Sequence, residues 1–154
     1  REGRSLGVAL SDYGGASVAA GIAEVSVNEQ TGQIQVHNYW MVIDAGFLVA
    51  PRNVNAQMEG NVIFGLSNAL KEQITISDGM VDQSNFHDYQ VMRIDEMPDI
   101  HVKALINTKS PSGVGELGLA TTGAAVANAV FAATGARVRE LPLTPDRVLA
   151  ALLG

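Results

Sequence analysis

The chain has 154 residues, 47% of them hydrophobic and 17% charged, which describes one folded domain with a real core and excludes a disordered chain. A formal charge of −6 without Lys/Arg clusters argues against a nucleic-acid surface, whose affinity needs phosphate neutralisation. The absence of cysteine excludes disulfides and thiolate or iron–sulfur ligation within the chain, and no apolar run reaches the roughly 20 residues that span a bilayer.

Strand-like segments come first. Ser5 to Leu10 reads as a strand leading into "SDYGG", where Asp12 and two glycines suit a turn. "ASVAAGIAEVSV" reads as the next strand, and "NEQTGQ" closes a hairpin with Gly32 free to take a positive φ. "IQVHNYWMVID" then alternates, which predicts Ile34, Val36, Trp40 and Val42 on one side.

A helix is expected near Val54 to Leu70, with Met58, Val62, Ile63, Leu66, Ala69 and Leu70 forming one apolar stripe. Gly60 and Gly65 inside it each cost about 1 kcal/mol relative to Ala, which a helix accepts where something packs close to its backbone. A short strand, a turn at Asp78-Gly79 and a longer extended excursion follow, and Ile100 to Ile106 is a further strand. After a glycine loop, a helix is expected near Thr122 to Thr134, ended by Gly135. "RVRELPL" is a short extended piece. Thr144 and Pro145 then open a last helix as cap and first residue. Strands that begin as a hairpin and later alternate with helices predict an α+β fold in two layers: a mixed β-sheet with helices packed on one face.

Within "SPSGVGELG", the stretch GVGELG matches G-x-G-x-x-G, the phosphate fingerprint of dinucleotide-binding proteins. Glu140 lies about 20 residues beyond, where such folds place the acid that holds a ribose. On this reading the chain is a non-catalytic nucleotide-binding module using Gly113, Gly115 and Gly118. Against it stand the linker "NTKSPS" between strand and glycines, the shortness of the chain after Glu140, and the negative charge of Glu116 in the turn meant for a pyrophosphate.

The other reading takes the glycines as clearance around one carboxylate, with free N–H groups before a helix able to hold an anion. A Glu held there in partial burial is suited to general-base work. A third reading leaves Glu116 as a loop residue that favours the positive end of the following helix.

"SPSGVGELG" followed by "AAVANAVFAATGARVRELPLTP" resembles the C-terminal region of the large, molybdopterin-binding subunit of molybdenum hydroxylases, the xanthine dehydrogenase and aldehyde oxidoreductase family. "AEVSVNEQTGQIQVHNYWMVIDAG", "AQMEGNVIFGLSNALKEQITISDG" and "QSNFHDYQVMRIDEMPDIHV" are similar to the same region in the same order, in the manner of isoquinoline 1-oxidoreductase-type subunits. The chain departs from that pattern at Ala50, where an Asn commonly precedes the Pro, and at Leu117, where a Pro often follows the Glu.

The resemblance implies that residues 1–154 are one domain, the C-terminal lobe of a longer subunit, and that the start at Arg1 is the start of a fragment. It implies that Glu116 is the general base at the molybdenum centre. In that family role the base would take up a proton as water-derived oxygen is transferred to an aldehyde or N-heterocycle, with the metal centre supplying the oxygen-transfer and hydride-accepting chemistry. The backbone of Ser112, Gly113, Val114 and Gly115 would border the cofactor, and Gln57 would contact it, which gives Gly60 a reason to be small.

The implied cofactor is molybdopterin in its cytosine dinucleotide form, shared with the upstream part of the same subunit. Iron–sulfur clusters would lie on a small partner subunit or domain, and the isolated lobe would be inactive. No residue is assigned to the metal itself: His37, His87 and His101 are scattered without ligand spacing. The lack of cysteine does not fix the compartment, which stays open between a bacterial-type cytoplasmic and a periplasmic setting.

Overall fold

The computed structural model describes residues 2–154. Three long strands open it: β1 (Ser5–Tyr13), β2 (Ser17–Asn28) and β3 (Gln33–Asp44), joined as an antiparallel meander. Helix α1 (Pro51–Leu70) follows, then a two-stranded ribbon of β4 (Ile76–Ser77) and β5 (Met80–Val81). Strand β6 (Asp99–Leu105), helix α2 (Leu119–Thr134) and helix α3 (Pro145–Leu153) complete the chain. The main sheet runs β1-β2-β3-β6, and β6 lies parallel to β3, so the expected mixed sheet is present.

Helix α2 packs on β1 and β2, while α1 packs on α2 and β6. Small residues decide how close these layers come. A Cβ on Gly7 of β1 would overlap the backbone of Ala125 and Ala129 in α2, so strand and helix meet main chain to main chain. Gly65 of α1 likewise faces Thr122 of α2, the close approach that a helical glycine suggests. Gly60, on the same helix, faces open space, so nothing within this lobe requires its small size.

The alternation of β3 does not run as the sequence pattern predicts. Val25 pairs with Val36 but Glu24 pairs with Asn38, which leaves His37 as an extra residue on β3. This bulge reverses the facing of everything after it. Val36 is buried on the helix side as expected, but Tyr39, Met41 and Ile43 take the core positions thereafter. Trp40 and Val42 turn to the opposite face, where Trp40 stacks on His101 with ring centroids 5.5 Å apart. His37 itself is held by Ser26, 2.7 Å from its hydroxyl.

The remaining elements follow their local signals. Asp78 and Gly79 both take positive φ, 53° and 78°, and close the β4–β5 ribbon. Gly135 ends α2 in the left-handed conformation, its N–H donating to the carbonyl of Phe131. "RVRELPL" forms no strand. No helix among the described residues is long and apolar enough to cross a membrane.

Candidate functional site

Among the described residues only β3 and β6 run parallel, so their carboxyl ends open side by side at one end of the sheet. Open parallel sheets place ligands at such an end, because the chains leaving adjacent strands diverge and leave a crevice. The segment after β3 (45–50) and the segment after β6 (106–118) are stitched together there. Phe47 N–H donates to Lys109 O (2.9 Å) and Ser112 N–H to Ala45 O (2.9 Å). Asp44 accepts from Gly46 N–H (3.1 Å) and from Asn107 Nδ2 (2.5 Å), with Lys109 nearby. The Gly46 bond, followed by that of Asn107, holds the Asp44 carboxyl below its usual range. A side chain at Gly46 would overlap the carbonyl of Ser110, so this junction needs glycine as well as its positive φ of 78°.

The glycine loop rises from this junction and returns to the core at Leu117. Leu117 is buried beneath the loop, which accounts for an apolar residue after Glu116, while Glu116 itself is exposed. Val114 is half-buried against the core and gives the loop a second anchor. Tyr13, Gly113, Gly115, Glu116 and Leu117 line a hollow of about 280 Å³. The partial burial expected for the carboxylate is therefore not supplied by this lobe. The carboxylate makes no hydrogen bond or ion pair with any other described residue.

The three glycines of GVGELG prove to be of two kinds. A Cβ on Gly118 would run into Sδ and Cε of the buried Met41, so a larger residue here requires that core side chain to move. Gly113 and Gly115 take no positive φ, and a Cβ on either would meet nothing. Neither conformation nor packing inside the lobe demands glycine at these two positions.

A buried polar residue that belongs to no sequence motif holds the loop. Asn61 of α1 is 4% exposed, and its amide is fully engaged. Nδ2 donates to Gly115 O (2.9 Å) and to Gln57 O one turn back in its own helix. Oδ1 accepts from the N–H groups of Gly118 and Leu119, both at 3.0 Å. The N–H groups of Gly118 and Leu119 at the start of α2 are thus satisfied from another helix and are not free to hold an anion. The one trace of this role in the sequence is a polar residue about one turn after Met58, inside an otherwise apolar stripe.

Behind the loop, Tyr39 and Thr121 share a hydrogen bond of 2.8 Å, and Thr121 donates on to Gly118 O at 2.7 Å. Burial pushes the Tyr39 hydroxyl up to about 12, with the Thr121 bond working weakly the other way. Gly21 leaves room for this pair, because a Cβ there would overlap both hydroxyls.

Of the other residues singled out, Ser112 is fixed by its bond to Ala45. Gln57 lies beside the loop through its carbonyl, which shares the Asn61 amide with Gly115, and its side chain is exposed. Glu140 is an exposed partner of Arg147 (2.7 Å). Among the described residues no strand follows α2 at 136–143, so the strand that would carry Glu140 to a ribose does not form. Among the described residues no cluster of His, Asp or Glu is arranged to hold a metal ion.

Known proteins resemble this chain over most of its length. Residues 10–98 match the family model described as "Molybdopterin cofactor-binding domain". The chain is similar to the beta subunit of isoquinoline 1-oxidoreductase of Brevundimonas diminuta, with 40% identity over 143 residues, 93% of this chain and 18% of that protein. It is also similar to one subunit of the nicotinate dehydrogenase of Pseudomonas putida, at 41% identity over 91% of this chain and 12% of that protein. Among solved structures, the aldehyde oxidoreductase of Desulfovibrio gigas superposes with a TM-score of 0.80 and 28% identity, covering 90% of this chain and 16% of that one. The chain thus spans less than a fifth of the length of these relatives.

Proposed function

This chain belongs to the molybdopterin cofactor-binding domain family, and on that premise we propose that it forms one wall of the molybdenum site of an oxidoreductase and supplies the general base, Glu116. The observation that carries this reading is the open half of the loop. Gly113 and Gly115 keep clear a space that nothing in the described lobe fills, beside a carboxylate that no described residue pairs. A bulky cofactor brought by another lobe fits that pattern, since it needs close approach to the backbone and a base already facing it.

The substrate is an aldehyde or an N-heterocycle, in keeping with the isoquinoline, nicotinate and aldehyde enzymes among the relatives. When bound, molybdopterin with its metal supplies the oxygen transfer and takes up two electrons from the substrate carbon. The backbone from Ser112 to Gly115 borders the pterin, with Gln57 at its edge. Glu116 accepts the proton that must leave as water-derived oxygen is transferred, a task a carboxylate performs when it is held near the reacting atom and water is scarce. The exposed Glu116 gains that dry setting when the remainder of the subunit closes over the hollow.

The chain is one lobe of a longer subunit, inactive alone, that shares molybdopterin in its cytosine dinucleotide form with the upstream region. Electrons leave through iron–sulfur clusters on a partner subunit or domain. Relatives named as subunits, and the small share of their length matched here, support this arrangement.

Glu116→Gln in the whole enzyme tests the assignment. General-base catalysis contributes about 10²–10⁴-fold, so turnover should fall by that factor while metal and pterin content stay at the wild-type level. Turnover near the wild-type value at equal cofactor content would show that Glu116 is not the base.

A further inference from the structure

We infer that Asn61 is a positioning residue that fixes the direction in which Glu116 leaves the loop; the inference rests on the reading of Glu116 as the base. Glu116 lies between Gly115 and Gly118, and the Asn61 amide binds both flanks. The carbonyl of Gly115 belongs to the same rigid peptide plane as the N–H of Glu116. Holding that carbonyl therefore orients the plane from which the Glu116 side chain departs. Gly115 needs such a restraint more than other residues, because glycine has the widest conformational choice and a side chain here would have touched nothing.

The bracket is rigid for three reasons. Asn61 sits in the middle of α1, far from either fraying end. Its Nδ2 also bonds Gln57 O, so its own helix sets the side-chain torsion. Both donors and both acceptor positions of the amide are used, and donors meet carbonyls while the oxygen meets N–H groups, so no flipped orientation fits. A carboxylate can do only the accepting half of this task and an apolar side chain neither half. A base misplaced by about 1 Å can lose about 100-fold in rate, which makes such a bracket worth a buried polar group.

The test uses the assembled enzyme with four variants: Asn61→Ala, Asn61→Asp, Glu116→Gln and the double variant Asn61→Asp with Glu116→Gln. Asn61→Asp keeps the acceptor for Gly118 and Leu119, and with it the start of α2, but loses the donor to Gly115. At matched metal and pterin content, both Asn61 variants should lose about 10- to 100-fold in kcat with KM changed less than about twofold. Amide hydrogen exchange over residues 112–119 should speed up in both. In the Glu116→Gln background, Asn61→Asp should cost nothing further, because the group being positioned is already gone.

An unchanged kcat in both Asn61 variants overturns the inference, and so does an equal loss with Glu116→Gln present. Failure of both variants to load cofactor overturns it too and makes Asn61 a residue of folding or cofactor retention. If Glu116→Gln alone keeps its turnover, the base assignment fails separately. The exchange rates then decide whether Asn61 still holds the loop, and unchanged exchange would remove that role as well.

Discussion

The two ends of the glycine loop lie within six residues of each other and obey opposite constraints. At Gly118 the backbone is pressed onto Met41, its carbonyl receives the Thr121 hydroxyl, and its N–H is held by Asn61. At Gly113 and Gly115 the backbone borders open space. One end is fixed by the core of this lobe and the other is shaped for something the lobe does not contain. Glycines that look equivalent in a motif therefore report different physics, packing in one case and clearance in the other. The nucleotide fingerprint treats all three as a single signal, and for that reason it misleads here.

The contrast can be broken most severely at its fixed end. Alkaline pH probes that end without mutation. The folded-state pKa of Tyr39, about 12, lies above its ordinary value of 10. The neutral phenol is thus favoured in the fold, its contribution is complete below pH 10, and it is lost as pH rises towards 12. That gap corresponds to about 3 kcal/mol, so denaturant midpoints should fall across the window, and Tyr39→Phe should flatten the fall.

Mutation tests the same end through packing. Gly118→Val should clash with Met41 in a fully packed region and cost about 1–3 kcal/mol, read as a melting temperature lowered by several degrees. A melting temperature equal to the wild type would mean that the two ends are not different in kind.

At the open end, Gly113→Ala and Gly115→Ala should change stability by less than about 0.5 kcal/mol, since a Cβ at either meets nothing. The same substitutions in the whole enzyme should lower molybdenum and pterin content. Unchanged content would remove clearance as the reason for these glycines.

Much of this fold is legible in the sequence because local signals agree with global packing. The stripe through Met58, Val62 and Leu66 gives α1, and Thr144 with Pro145 marks the start of α3. The facing of β3 is not legible, because a bulge inserts one residue without altering hydrophobicity, and only the pairing with β2 reveals that His37 is supernumerary. Helix α2 begins at Leu119, ahead of the expected start at Thr122, so both Thr121 and Thr122 lie within its first turn. In the structure their hydroxyls turn back to the carbonyls of Gly118 and Leu119 and are satisfied inside the helix.

At the site, Glu116 could be picked out because glycines surround it, whereas Asn61 could not. A polar residue in an apolar stripe has meaning only when its partners are known, and these lie 54 to 58 positions away. Glu140 shows the converse, a residue well spaced for a role whose carboxylate is paired with Arg147 at the surface.

A crystal structure of the assembled, cofactor-loaded enzyme measures the central claim directly. The expected result is another lobe closed over the hollow beside Tyr13, with the Glu116 carboxylate pointing at the metal centre from a loop still bracketed by Asn61. A Glu116 side chain in an ion pair with a neighbouring lobe, turned away from the cofactor, would contradict it.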